Sequence, residues 1–189
     1  MLRLGVDWRP LVYVDLVTAR STWPEAELIE TERLFLEPLR VDHAGEMAPV
    51  LNDVSLHAFI GGQPATHDEL RSRYAAQIVG HSPDRRQGWL NWILRHRPSG
   101  APVGTVQATL TRDGERSVAE LAWVVAVVHQ RRGYAHEAAA AVADWLHQRG
   151  TDTLIAHIHP QHQASIAIAQ RLGMRTTGVT VDGENRWST

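Results

Sequence analysis

Residues 119–128 read Ala-Glu-Leu-Ala-Trp-Val-Val-Ala-Val-Val, an almost unbroken apolar and largely β-branched run. This pattern predicts a buried strand with both faces covered. A turn, His129-Gln130-Arg131-Arg132-Gly133-Tyr134-Ala135, separates it from an alanine-rich stretch. There Ala138, Ala141, Val142, Trp145 and Leu146 recur at helical spacing, and alanine is the best helix former. Gly150 follows as the C′ residue that closes the helix.

The remaining elements follow from the same periodicities. Residues 31–39 alternate and predict a strand, with Pro38 marking an edge or a strand end. Residues 42–51 predict a short helix capped by Asp42. Residues 52–67, with Gly61, Gly62 and Pro64, read as a loop. A helix over residues 68–79 follows Thr66 or His67, and Asp68 and Glu69 complement its dipole. Strands at 88–95 and 103–110, joined by the turn at 98–102, and Asp113-Gly114 before residue 119 give an antiparallel meander. A strand at 153–158, a helix at 163–171 closed by Gly173, a strand at 174–181, the hairpin turn Asp182-Gly183 and a last strand at 185–189 complete the chain. Residues 1–30, with a short strand at 11–14 and a turn at 21–24, read as an N-terminal extension to a domain spanning 31–189. The fold class is α/β, a mixed, mainly antiparallel sheet flanked by helices.

Composition narrows the function. The chain has 189 residues, 43% apolar and 21% charged, as expected of one globular domain. A net charge of −2 gives no electrostatic footprint for nucleic acid. The longest apolar run falls far short of the roughly 20 residues that a membrane helix needs, and Asp7 and Asp15 interrupt any secretory signal. The expected location is the cytoplasm, without nucleic-acid or membrane partners. Absence of cysteine removes disulfides, thiolate metal sites and a cysteine nucleophile together. The oligomeric state stays open, a homodimer included.

A strand that turns directly into a helix N-terminus presents free backbone N–H groups and the positive end of the helix dipole, an anion site. Gly133 and Ala135 let a phosphate approach the backbone, and Arg131 and Arg132 add positive charge beside it.

Gln130-Arg131-Arg132-Gly133-Tyr134-Ala135 resembles the Gln/Arg-x-x-Gly-x-Gly/Ala signature of the GNAT acetyltransferase superfamily, and the order of elements from Glu32 onward is similar to that fold. Glu-Thr-Glu-Arg-Leu-x-Leu-x-Pro-Leu at 30–39 resembles the ribosomal-protein branch, the RimJ/RimL type. The resemblance implies acetyl-CoA as co-substrate and a primary amine as acceptor, a protein N-terminus or a small molecule. It implies that the backbone of Arg131, Arg132, Gly133, Tyr134 and Ala135, with Gln130, holds the pyrophosphate. The N–H groups near Ala126, Val127 and Val128 would polarise the thioester carbonyl. Glu120, beside Ala122, Val124 and Ala126, is the expected base or water-holder, its pKa raised by apolar neighbours. His162 stands where relatives carry an asparagine that contacts the coenzyme, and Ala169 where many carry an acidic tyrosine. Ser165 is then the candidate to hydrogen-bond or protonate the sulfur, its alternative role being a helix cap.

Two other readings stay open. His157-x-His159-x-Gln161-His162 resembles the His-x-His-x-Asp-His motif of the metallo-β-lactamase fold. Gln161 replaces the aspartate, however, and no histidine follows His162, so no metal ligands are assigned. The substitutions at 162 and 169 also fit a coenzyme-binding regulatory module without catalysis.

Overall fold

Leu34 and Leu36 on one strand, Leu90, Trp92 and Leu94 on the next, and Val106, Ala108 and Leu110 on the third are all buried in one hydrophobic core. Their period of two places that core on one face of a sheet. In the computed structural model, which describes residues 23–189, the sheet has eight strands in the order β1-β2-β3-β4-β5-β6-β8-β7. The strands are β1 (Ile29–Glu30), β2 (Leu34–Pro38), β3 (Gly88–His96), β4 (Pro102–Asp113), β5 (Arg116–Val125), β6 (Thr153–Ile158), β7 (Arg175–Val181) and β8 (Glu184–Ser188). Every pairing is antiparallel except that of β5 with β6. The mixed, mainly antiparallel sheet is therefore as expected. The expected strand at 11–14 and the first half of the turn at 21–24 lie outside the described residues.

Helices α4 (Tyr134–His147) and α5 (Gln163–Arg171) cover the core face. Val142 and Leu146 of α4 are fully buried, and Trp145 packs edge-to-face on Trp92 with ring centroids 5.6 Å apart. Such a pair contributes about 0.5–1.5 kcal/mol beyond the area it buries. Gly150 has φ +82, and Thr151 N–H donates to Leu146 O while Gly150 N–H donates to His147 O. These two bonds form a Schellman motif that needs a left-handed residue, hence the glycine.

The opposite face is covered over β2–β4 by α1 (Ala44–Val50) and α3 (His67–Gln77), through Met47, Leu70, Tyr74 and Ile93. Thr66 caps α3 in a reciprocal capping box with Glu69, so that carboxylate serves the helix terminus. Asp42 does not cap the preceding helix: a 3-10 turn, Val41–His43, begins after Arg40 and runs into α1. The segment expected as a loop holds another 3-10 turn, Val54–Leu56, capped by Asp53, and a short helix α2 (His57–Ile60) ended by Gly61. Before β2, Trp23, Ala26 and Ile29 pack against the core, and Trp92 Nε1 donates to Glu27 O at 2.7 Å.

One expectation for β5 fails. Ala119, Leu121 and Val125 are buried in the core, but Ala122 is exposed and Glu120 and Val124 are only partly covered. Helices α1 and α3 stop over β4, and the second face of β5 is left open. Val124 on that face lines a cavity.

Candidate active site

Strands β5 and β6 pair over only three rungs, Val118↔Thr153, Ala119↔Leu154 and Glu120↔Ile155. β5 then continues to Val125, bound along its other edge to β4, and β6 continues to Ile158, bound to β8. The two strands diverge beyond Glu120 and leave facing backbone edges without a strand partner. A sheet interior does not leave such polar edges open unless something else takes them up. The fork is thus a place where an extended ligand with hydrogen-bonding groups fits.

The anion turn stands at the end of the fork. Arg131 has φ +60 and Gly133 φ +82, and α4 begins at Tyr134 with no side-chain cap. Glu137 N–H is the first to find an acceptor within the helix, Gly133 O, so the N–H groups of Tyr134, Ala135 and His136 stay available. A Cβ on residue 133 would lie 3.3 Å from Arg33 Nη2 as well as impose a strained φ. Arg33 donates to Arg132 O at 2.8 Å, pairs with Glu137 at 2.6 Å and lies 5.0 Å from the centroid of the Tyr134 ring. Burial works to raise the Glu137 carboxyl, but hydrogen bonds from Thr31 and Arg33 outweigh it and hold it below the ordinary range. Arg131 and Arg132 extend exposed side chains that make no ion pair with a described residue.

Two expected coenzyme contacts take other roles. Gln130 donates its side-chain amide to Val125 O at 3.0 Å, which fastens the turn to the end of β5. Ala126 N–H donates to Val103 O at 2.9 Å, and Ala126 O accepts from His129 N–H. Ala126 therefore has no backbone donor to offer a carbonyl. The N–H groups of Val127 and Val128 make no backbone hydrogen bond among the described residues, and both side chains are exposed.

Glu120, on the last paired rung, turns away from the core, and His157 of β6 reaches back to it, Nδ1 to Oε1 at 2.7 Å. An ionised carboxylate only accepts, so Nδ1 donates, and in a neutral ring with that tautomer Nε2 is the proton acceptor. The Glu120 side chain is 44% exposed. Its face of β5 is open, so the apolar enclosure expected around it is absent.

Ser165 lies on the other side of the fork. It is the third residue of α5, and its hydroxyl accepts from Trp123 Nε1 at 3.2 Å, which ties α5 to β5. Ser165 is not the helix cap: His162 fills that position, its Nδ1 accepting from Ser165 N–H at 3.1 Å. Burial lowers the His162 pKa, favouring the neutral ring that this acceptor role requires. Phe59 of the α2 segment sets its ring 4.3 Å from that of His162 and 5.5 Å from that of His159. His157, His159 and His162 are thus engaged separately. Among the described residues no group of three or more His, Cys, Asp or Glu is placed to hold a metal ion.

On the open face, a cavity of about 150 Å³ lies between α3 and strands β3–β5, with Leu39, Leu70, Tyr74, Asn91, Gln107 and Val124 in its wall. Sequence reasoning missed this cavity, Trp123, and His157 as a partner of Glu120. The signals were present: Glu120, Ala122 and Val124 share one strand parity, and His157 shares its own with Ile155, opposite Glu120.

A family model described as Acetyltransferase (GNAT) domain matches residues 33–175. The uncharacterized protein YkkB of Bacillus subtilis (strain 168) is 31% identical over 84 residues, 44% of this chain and 49% of that protein. The match thus spans about half the length of this curated relative. Among solved structures, RimL, a ribosomal L7/L12 α-N-protein acetyltransferase in complex with coenzyme A, is 16% identical. It superposes with a TM-score of 0.71 over 86% of this chain and 97% of that one. A GNAT-family acetyltransferase from Bacillus anthracis superposes at 0.67 with 17% identity, over 86% of this chain and 96% of that one. The forked sheet, the turn leading into α4 and the family match agree, and the chain belongs to the GNAT acetyltransferase family.

Proposed function

We propose that this protein is an N-acetyltransferase that moves acetyl from acetyl-CoA directly to a primary amine within a ternary complex. The observation that carries the reading is the opening of the β5–β6 fork beside the uncapped N-terminus of α4. The coenzyme complex of RimL on the same fold supports it. Acetyl-CoA supplies an acyl group activated as a thioester. The backbone N–H groups of Tyr134, Ala135 and His136 bind its pyrophosphate, with Arg131 and Arg132 adding charge. Val127 and Val128 are the remaining backbone donors for the carbonyl, and His162 flanks the coenzyme at the head of α5.

The amine must lose a proton as it attacks, and the Glu120–His157 pair takes it, directly or through water. His157 Nε2 accepts the proton while Glu120 holds the ring and stabilises the imidazolium, as carboxylates do for catalytic histidines elsewhere. Ser165, on the far side of the fork with its O–H free to donate, hydrogen-bonds the departing sulfur. The proposed setting is the cytoplasm, with 31–189 as the catalytic domain together with the packed segment from Trp23 that carries β1. No described helix is long and apolar enough to cross a membrane.

Calorimetric titration with acetyl-CoA tests this, with Gly133→Val as the control. Binding lost in the variant supports the assignment, and its absence from the wild type overturns it. The alternative, a coenzyme-binding module without catalysis, draws on one observation: Ala169, where many relatives have the acidic tyrosine, is fully buried. Binding without turnover of any amine would favour that alternative.

A further inference from the structure

The cavity on the open face of the sheet bears on which amine is accepted. It adjoins β5 through Val124, on the same face as the Glu120–His157 pair. Leu39, Leu51, Leu56, Leu70 and Val124 make its wall mostly apolar, and about 150 Å³ is the size at which an apolar protein cavity takes up benzene. The uncharged amides Asn91 and Gln107 also line it, and Arg73 stands among the lining residues as a cation. No described residue of the wall is acidic. Nearby acids are engaged within the protein: Glu37 and Glu46 with Arg95, Glu69 with Thr66, and Glu120 with His157. A second ammonium entering this site would shed its hydration against apolar walls and Arg73, with no carboxylate to receive it, and an uncompensated buried charge is strongly disfavoured.

Resting on the acetyl-transfer reading above, we propose that the acceptor is a monoamine with an apolar group of about phenyl size and no second positive charge. The apolar group fills the cavity, Asn91 and Gln107 serve an uncharged polar function of the acceptor, and its single nitrogen lies toward Glu120 and His157. Polyamines and aminoglycosides, which need carboxylates for their further ammonium groups, are excluded by the same wall.

The test is a panel at saturating acetyl-CoA, with 2-phenylethylamine and phenylalaninamide against spermidine and kanamycin, on the wild type and on Gln107→Glu. The expected kcat/KM for the monoamines exceeds that for the polycations by about a hundredfold. Gln107→Glu, which adds the missing carboxylate at nearly constant volume, should narrow that gap about tenfold, mainly through KM for spermidine. Polycations accepted equally well, a gap unmoved by Gln107→Glu, or acetyl-CoA binding without turnover of either monoamine would each overturn the inference. Acetyl-CoA titration run alongside separates the two claims, since absence of coenzyme binding fails the underlying reading and polycation preference fails only this one.

Discussion

Glu120 Oε1 and His157 Nδ1 lie 2.7 Å apart at the point where β5 and β6 cease to pair. The two strands share no rung beyond it, so the pair sits at the mouth of the fork rather than inside a ladder. A carboxylate alone at this position would be a weak base facing solvent. Coupled to an imidazole, it fixes the tautomer that leaves Nε2 free to accept.

Replacing either member should therefore impair the same step. Glu120→Gln and His157→Gln should each lower kcat by about 10²–10⁴, the range for general acid–base catalysis, with acetyl-CoA affinity unchanged. A variant of His157 with wild-type turnover would return the role to Glu120 alone.

Ser165 offers a cleaner separation of chemistry from structure than its helical position suggests. The cap of α5 is the His162 imidazole, so Ser165→Ala removes the hydroxyl and leaves the cap in place. Its melting temperature should stay close to wild type while kcat drops. His162→Ala, unlike Ser165→Ala, should destabilise the fold by about 1 kcal/mol through the lost cap. Equal loss of stability in both variants would make Ser165 structural.

The fold was legible because its signals are local: the alanine-rich helix, the glycine turn before it, and the acidic residues Asp68 and Glu69 in the first turn of α3. The fork was not. Ala122 and Val124 read as core because a cleft floor is apolar for the same reason a core is, and only the absence of a helix over their face of β5 distinguishes the two. His157 was visible only within a histidine trio, since its partnership with Glu120 depends on parallel register 37 residues apart. Helix α2 was lost behind Gly61, Gly62 and Pro64, which punctuate its end more strongly than its four residues declare it. Gln130 matched a motif by letter and Ala126 was expected as a backbone donor, but Gln130 Nε2 donates to Val125 O and Ala126 N–H to Val103 O inside the protein.

The anion turn owes its shape to Arg33, which ties Arg132 O to Glu137. Arg33→Met should loosen the turn and raise the dissociation constant of acetyl-CoA about tenfold, equivalent to about 1.4 kcal/mol. Isothermal titration of the variant checks this. Unchanged affinity would mean that the turn holds its conformation through Gly133 and α4 alone.

Acid stability should be governed by a cluster far from the fork. Glu37 accepts from Arg95 Nε at 2.5 Å and pairs with Arg40, while His43 Nε2 lies 3.5 Å away. Burial of the Glu37 carboxyl works to raise its pKa, but Arg95 and Arg40 prevail and lower it from 4.5 to about 2. Between those values the unfolded chain binds the proton and the folded chain does not. The cluster's contribution is therefore complete above pH 4.5 and is lost as pH falls toward 2. His43 acts in the same direction: burial lowers its pKa, so protonation below its ordinary 6.5 also favours unfolding. Glu37→Gln should cost about 2 kcal/mol at pH 7, the loss of a charge-assisted hydrogen bond, and should make the decline in melting temperature below pH 4.5 shallower. Thermal unfolding of both proteins across pH 7 to about 2.5 measures it. Parallel curves would show that other carboxylates set the acid limb.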